Sequence, residues 1–265
     1  SDGDLQEGVV LGAASLAGHL GLERLCWLYD ANDIQLSGPT KDAVSDNTAQ
    51  MFQGMGWQVA EIDGHDHKAI RGALDTFQKA TKPTLIIAKT VMGKGTHSLE
   101  GTAKTHGSPL PPEERVKTRA KLGLPEEEFH FPEAMAQHFR RNFGALKEKA
   151  ELWRQNFTKK MAEGSFKQAY EQHFKVPDIT KLPPMYWEKE APKATRNAFG
   201  ELIEFWADEL PALFGGSADL EPSNMTGAFA KKTGIFTKEN RLGRSVSFGV
   251  REFPMSAICN GMALY

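Results

Sequence analysis

The chain has 265 residues, 40% of them hydrophobic, which is enough to bury the core of one large or two modest domains. Its 32 basic residues almost balance its 34 acidic ones for a net charge of −2, so overall charge gives no case for nucleic acid or a membrane surface. Any phosphate on a substrate must be met by local positive charge. No run reaches the roughly 18–20 apolar residues of a membrane span. The two cysteines, Cys26 and Cys259, lie in apolar stretches without a CxxC partner or metal spacing, as expected of reduced core residues in a cytosolic protein.

In chain order, Ser1-Asp2-Gly3-Asp4 runs into Leu5–His19, a small, apolar, helix-compatible stretch. Arg24–Tyr29 follows as a short apolar run of strand length and delivers the chain to Tyr29-Asp30-Ala31-Asn32-Asp33-Ile34. If a strand also precedes Asp2, the unit is βαβ and places Asp2 and Asn32 at the carboxyl ends of neighbouring parallel strands. A hard divalent cation takes oxygen ligands of the kind Asp2, Asn32 and a loop carbonyl near Ile34 offer. Gly3 contributes an amide at a helix start and no Cβ to keep a phosphate away. These residues read as a metal and diphosphate site; they also fit an N-cap at Asp2 and a turn at Asn32-Asp33.

Further along, Asp46–Met55 and His65–Ala80 read as helices and Trp57–Ile62 and Pro83–Thr90 as strands, the alternation of a parallel sheet. His65-Asp66-His67 fits a solvated helix start better than a metal pair. Val91–Pro112 is a glycine-rich loop leaving a strand's carboxyl end, where His97 and His106 are either ligand contacts or ordinary loop residues. Glu113–Phe174 is predicted as a series of charged amphipathic helices without chemistry, and Pro177–Pro192 as an extended connection. Lys193–Leu210 is an amphipathic helix with Arg196 near its start, placed for a surface salt bridge or for gripping a phosphate. Ala212–Ser217 then opens a second sheet, leading into Ala218-Asp219-Leu220-Glu221-Pro222-Ser223-Asn224. Glu252 stands among Val250, Phe253, Met255 and Ile258, either as a first-turn helix residue or as a carboxyl whose pKa is raised by desolvation.

Three stretches together carry a family resemblance. SDGDLQEG with YDANDIQLSGPT, the loop segment THGSPL, and GGSADLEPSN with GVREF downstream are similar to transketolases, thiamine diphosphate-dependent enzymes. One departure is visible, since Ser1 stands where the family has the first glycine of its motif. The resemblance implies Mg²⁺ (or Ca²⁺) held by Asp2, Asn32 and the Ile34 carbonyl, with Gly3 and Asn32 on the diphosphate. It implies that His106, and not His97, contacts cofactor and substrate, that Arg196 and Ser223 bind the sugar phosphate, and that Asp219 lies close to the thiazolium. Glu252 becomes the carboxyl on N1′ of the aminopyrimidine that promotes the ylid, serving the cofactor of a partner subunit in a homodimer.

The fold so implied is α/β: a thiamine diphosphate-binding fold with parallel sheets flanked by helices and a helical linker. Residues 1–112 would belong to a diphosphate-binding domain, 113–176 to the linker and 177–265 to the beginning of a pyrimidine-binding domain, all as an internal portion of a longer cytoplasmic protein. The implied reaction moves a two-carbon ketol group from a ketose phosphate to an aldose phosphate, as in the pentose phosphate pathway. Two alternatives use the same residues: a dihydroxyacetone synthase with formaldehyde as acceptor, and a non-catalytic cofactor-binding or dimerising fragment. For this stretch alone, weak cofactor binding and negligible turnover are expected.

Overall fold

Every position from Thr84 to Ile87 is buried, so the strand holding them has cover on both faces. It is β5 (Thr84–Lys89), the central strand of a three-stranded parallel sheet in a computed structural model that describes residues 1–178, 180 and 193–264. Its neighbours are β1 (Cys26–Ala31) and β4 (Gln58–Asp63), in a register that aligns Ala31, Lys89 and Asp63 at the carboxyl edge. The helices of this layer are α1 (Gly8–Leu20), α2 (Thr48–Gly54) and α3 (His67–Phe77). Between β1 and α2 lies a small hairpin of β2 (Ile34–Gln35) and β3 (Gly38–Pro39).

On β1 the alternation is direct: Trp27, Tyr29 and Ala31 turn inward while Leu28 and Asp30 stay exposed. The inward set joins Ala14 and Ala17 of α1, Phe52 of α2, Trp57, and Leu85 and Ile87 of β5 in one apolar cluster. Small residues on α1 let the aromatics approach its backbone, and the Trp57 indole N–H donates to the Ala14 carbonyl at 2.8 Å. Gly18 is the tightest point, because a Cβ there would lie 1.8 Å from the Met55 carbonyl oxygen. Gly18→Ala is therefore expected to destabilise the protein by about 1–3 kcal/mol through overpacking, despite up to ~1 kcal/mol gained in helix propensity. A urea titration reads the shift, and unchanged stability would remove the packing argument.

Two units divide the chain: Ser1–Glu126 with Phe236–Leu242 and Ser247–Tyr265, and Glu127–Ile235 with Gly243–Val246. The first also contains α4 (Pro112–Lys121) and, beyond the second unit's helices in sequence, a helix over Glu252–Ala263. Arg241 ends α1 by donating to the Leu20 and Gly21 carbonyls at 2.8 and 2.7 Å, a cation at the negative end of the helix dipole.

The second unit holds the long α5 (Glu133–Met161), α6 (Gly164–His173) packed on it, and α7 (Thr195–Glu209). Strand β6 (Gly215–Ser217), α8 (Glu221–Asn224), α9 (Gly227–Thr233) and β7 (Ser245–Ser247, whose last residue counts with the first unit) follow. Helix α10 is the Glu252–Ala263 helix of the first unit. Arg244 donates to the Ala207 and Leu210 carbonyls at 2.7 and 2.8 Å and so ends α7.

Several expectations need correction. The helix expected from Leu5 begins only at Gly8: Asp4–Gln6 forms a 3-10 turn, and Glu7 is extended at φ −73°, ψ 125°. Strand β1 starts two residues later than read, because Leu25 still donates its N–H to the Leu22 carbonyl of a turn. Cys26 and Cys259 are free thiols but only half-buried. Most of the Pro177–Pro192 connection lies outside the described residues.

Candidate active site

A cavity of about 570 Å³ opens at the carboxyl edge of the parallel sheet, where α/β sheets characteristically take their ligands. Asp2, Gln6, Tyr29, Asp33, Asn47 and Lys89 supply much of its polar lining. Asp2 is 6% exposed. One of its oxygens, Oδ1, accepts the Tyr29 hydroxyl at 2.7 Å; the other, Oδ2, is buried with no hydrogen-bond partner among the described residues. A buried carboxylate oxygen left alone costs free energy, a cost that a cation or donor reaching it would offset. Burial, and the bond to Asp2, push the Tyr29 phenol well above its ordinary pKa, so its hydroxyl stays a donor.

Beyond β1 the chain turns sharply at Asp33, φ +62°, where Lys89 lies 3.7 Å from its carboxylate. The Asn32 side chain bridges this turn, its Oδ1 accepting the Ile34 N–H at 3.1 Å and its Nδ2 donating to Asp30 at 3.2 Å. Ile34 pairs with Pro39, and the ladder bond runs between their neighbours, from Thr40 N–H to the Asp33 carbonyl at 3.0 Å. The Ile34 carbonyl consequently points away from β3 and is open to another partner. Asn32 and Ile34 belong to this hairpin and do not line the cavity of Asp2, although β1 links the two places. Gly3 sits at the head of the 3-10 turn, and a Cβ there would meet nothing within 4 Å, leaving an open approach to its backbone. Among the described residues no three His, Cys, Asp or Glu side chains gather as a metal cluster, so a cation here would rely on amide and carbonyl oxygens as well.

The loop after β5 is held at several points. His65 Nε2 accepts the Val91 N–H at 3.0 Å, which gives that histidine a structural role, and Asp66 caps α3 through the Lys68 N–H at 2.8 Å. On α4, Glu114 accepts the N–H and the hydroxyl of Ser98 at 2.6 and 2.8 Å, and the backbone donor first of all holds its carboxyl below the usual range. Thr118 accepts the His97 N–H at 3.0 Å, and the His97 side chain itself is exposed. His106 leaves the 3-10 turn Ala103–Thr105 half-buried, with Nδ1 buried and unpartnered among the described residues. Its ring is thus the second unmet polar group in the stretch the motifs pick out.

In the second unit, Arg196 lies exposed in the first turn of α7 and Ser223 exposed on α8, two helices that pack together. Ser217 organises the intervening turn, its Oγ accepting the Leu220 N–H at 3.1 Å and Asn224 Nδ2 at 2.9 Å. Asp219 is exposed and left-handed at φ +64°, and Asn224 Oδ1 is buried without a partner among the described residues. In the first unit, Glu252 begins α10 and is exposed. Of its two readings the first-turn helix position is the one the chain adopts, and Val250 and Phe253 beside it are 74% and 68% exposed. Helix α10 packs on α1 through Pro254, over Gly12.

Sequence reasoning missed Tyr29, Glu114 and Asn224. Tyr29 could have been found, since it shares the period-two phase of Trp27 and Ala31 and so had to face the same side as the site. Nothing in the sequence pattern marks Glu114, and Asn224 closes the GGSADLEPSN segment without a role being read for it.

Two family descriptions match the chain: "Transketolase, thiamine diphosphate binding domain" over residues 1–176 and "Transketolase, pyrimidine binding domain" over residues 191–265. Transketolase of Geobacillus stearothermophilus is 42% identical over 279 aligned positions, covering 100% of this chain and 40% of its own length. A probable transketolase of Streptococcus pneumoniae is 38% identical, covering 100% of this chain and 41% of its own. The solved structure of Pichia stipitis transketolase in complex with sedoheptulose-7-phosphate superposes with a TM-score of 0.90 at 33% identity, covering 99% of this chain and 40% of that one. The chain thus spans about 40% of the length of the relatives it matches.

Proposed function

The chain belongs to the transketolase family, and from that premise we propose that it forms part of a thiamine diphosphate-dependent site moving a two-carbon ketol group from a ketose phosphate to an aldose phosphate. The observation that carries the reading is the buried, unpartnered Oδ2 of Asp2 at the edge of the sheet cavity. Mg²⁺ or Ca²⁺ is the cation whose oxygen preference suits Asp2, Asn32 and the outward carbonyl of Ile34. Gly3 leaves room for the diphosphate against its amide.

When bound, thiamine diphosphate supplies an acidic thiazolium carbon and an electron sink for cleavage beside a ketose carbonyl. The protein's share is binding and proton handling. His106, with an unmet ring nitrogen, hydrogen-bonds cofactor and sugar; Arg196 and Ser223, exposed on adjacent helices, hold the substrate phosphate, which Arg does bidentately. Asp219 would stand near the thiazolium. Glu252 hydrogen-bonds N1′ of the cofactor of a partner subunit, and its exposure in the single chain agrees with a group that acts across a homodimer interface. The Pichia relative was solved with a phosphorylated sugar, which supports the same substrate class here.

The reading divides the chain into a diphosphate-binding part over 1–112, a helical linker over 113–176 and the beginning of a pyrimidine-binding part over 177–265, working in the cytoplasm. No helix among the described residues is long and apolar enough to cross a membrane.

Calorimetric titration of the chain with thiamine diphosphate tests the proposal. Weak binding that requires Mg²⁺ or Ca²⁺ and vanishes with a chelator is the expected result, and binding indifferent to the cation overturns it. In the same preparation, ketol transfer to ribose 5-phosphate and to formaldehyde is expected to be negligible; robust transfer to formaldehyde alone would favour the dihydroxyacetone synthase alternative.

A further inference from the structure

The pairing of Asp2 with Tyr29 does more than satisfy one oxygen. The Tyr29 ring packs against the apolar cluster that contains Ala31, Phe52 and Ile87, so the hydroxyl at its tip has little freedom to move. The backbone of Asp2 is tied as well, its carbonyl accepting Gln6 Nε2 at 3.1 Å. With the carbonyl tied and Oδ1 engaged at 2.7 Å, Oδ2 is the oxygen left without a hydrogen-bond partner among the described residues.

A carboxylate constrained in this way meets a cation through one oxygen. Mg²⁺ accepts that readily, because it demands near-octahedral geometry at about 2.0–2.1 Å and takes carboxylates one oxygen at a time. Ca²⁺, at about 2.3–2.6 Å and with 6–8 ligands, often takes both oxygens of a carboxylate, which a fixed donor on Oδ1 discourages. Groups that hydrogen-bond a ligating side chain orient it and tune its affinity much as the ligands themselves do.

We propose that Tyr29 is a positioning residue that presents Asp2 to the cation through Oδ2 alone and thereby biases the site toward Mg²⁺ over Ca²⁺. This rests on the reading of Asp2 as a metal ligand. Tyr29 touches neither substrate nor cation; it acts through the carboxylate.

The test is Tyr29→Phe in the full chain, which deletes the hydroxyl and keeps the ring in its apolar setting. Mg²⁺ and Ca²⁺ affinities are measured by calorimetry at one fixed thiamine diphosphate concentration. Loss of the donor is expected to weaken Mg²⁺ by about 10–100-fold, the usual effect of removing a group that orients a metal ligand. Ca²⁺ should weaken less, because the released carboxylate can turn both oxygens to the larger ion, so the preference moves toward Ca²⁺. The apo melting temperature checks that the variant is folded. In an Asp2→Asn background the same substitution should no longer change the Mg²⁺ to Ca²⁺ ratio, because the effect passes through the carboxylate. Unchanged affinities, or an equal fall for both ions, overturn the proposal, as does a ratio that shifts identically in both backgrounds. Failure of the underlying reading looks different: Asp2→Ala would then bind both cations as the parent does.

Discussion

Asp2→Ala is expected to lower cation-dependent thiamine diphosphate affinity by more than about 100-fold, beyond the range typical of losing a group that merely supports a ligand. Oδ2 is a buried carboxylate oxygen with no hydrogen-bond partner among the described residues, so it has much to gain from a cation. The same substitution should leave the apo protein equally stable or slightly more stable. A buried carboxylate with one unmet oxygen is a cost that the empty fold carries, and alanine removes it together with the Tyr29 bond. Calorimetric titration with Mg²⁺ and cofactor, paired with apo melting curves, checks both halves. Retained affinity would detach Asp2 from the cation, and a large loss of apo stability would make it a structural residue.

Phe52→Ala is the second large effect, about 3–5 kcal/mol of lost stability and a fall in Tm on the order of 10 °C. Phe52 is 0% exposed and meets two other rings edge-on, Trp57 at 5.2 Å and 82° and Trp27 at 6.0 Å and 67°. Removing it empties a cavity that the flanking rings cannot fill, because Trp57 is pinned through its indole N–H to α1. Denaturant unfolding followed by far-UV circular dichroism measures the loss, and a change under about 1 kcal/mol would mean that the site collapses around the smaller side chain.

Those two residues mark how differently core and site could be read from the chain. The parallel sheet was legible because its signal is cumulative: β5 is apolar at several consecutive positions and β1 alternates, and no single contact is needed to see either. The Asp2 motif was legible as chemistry, yet its local structure was not. Asp2-Gly3 signals a helix start, but the chain makes a three-residue 3-10 turn and extends at Glu7 before α1 begins, a choice that tertiary packing makes over weak local propensity. Glu252 was open to two readings, and the chain places it exposed in the first turn of α10. Apolar neighbours at +1, +3 and +6 surround it in sequence, but on a helix they point in different directions, and the packing direction of α10 was set by Gly12 of a helix some 240 residues earlier. Tyr29 was missed because a tyrosine in a strand explains itself as core until its hydroxyl is seen to have an address.

The burial of β5 on both faces has a consequence for the order in which the molecule loosens. Amide protons in a strand covered on both sides and paired on both edges exchange only with the largest openings, so β5 belongs to the last part of its unit to open. Strand β1, which carries Tyr29 and leads into Asn32, is hydrogen-bonded to it along six paired positions. A ligand arriving at that edge meets a framework already standing, and little of its affinity is consumed in ordering the chain.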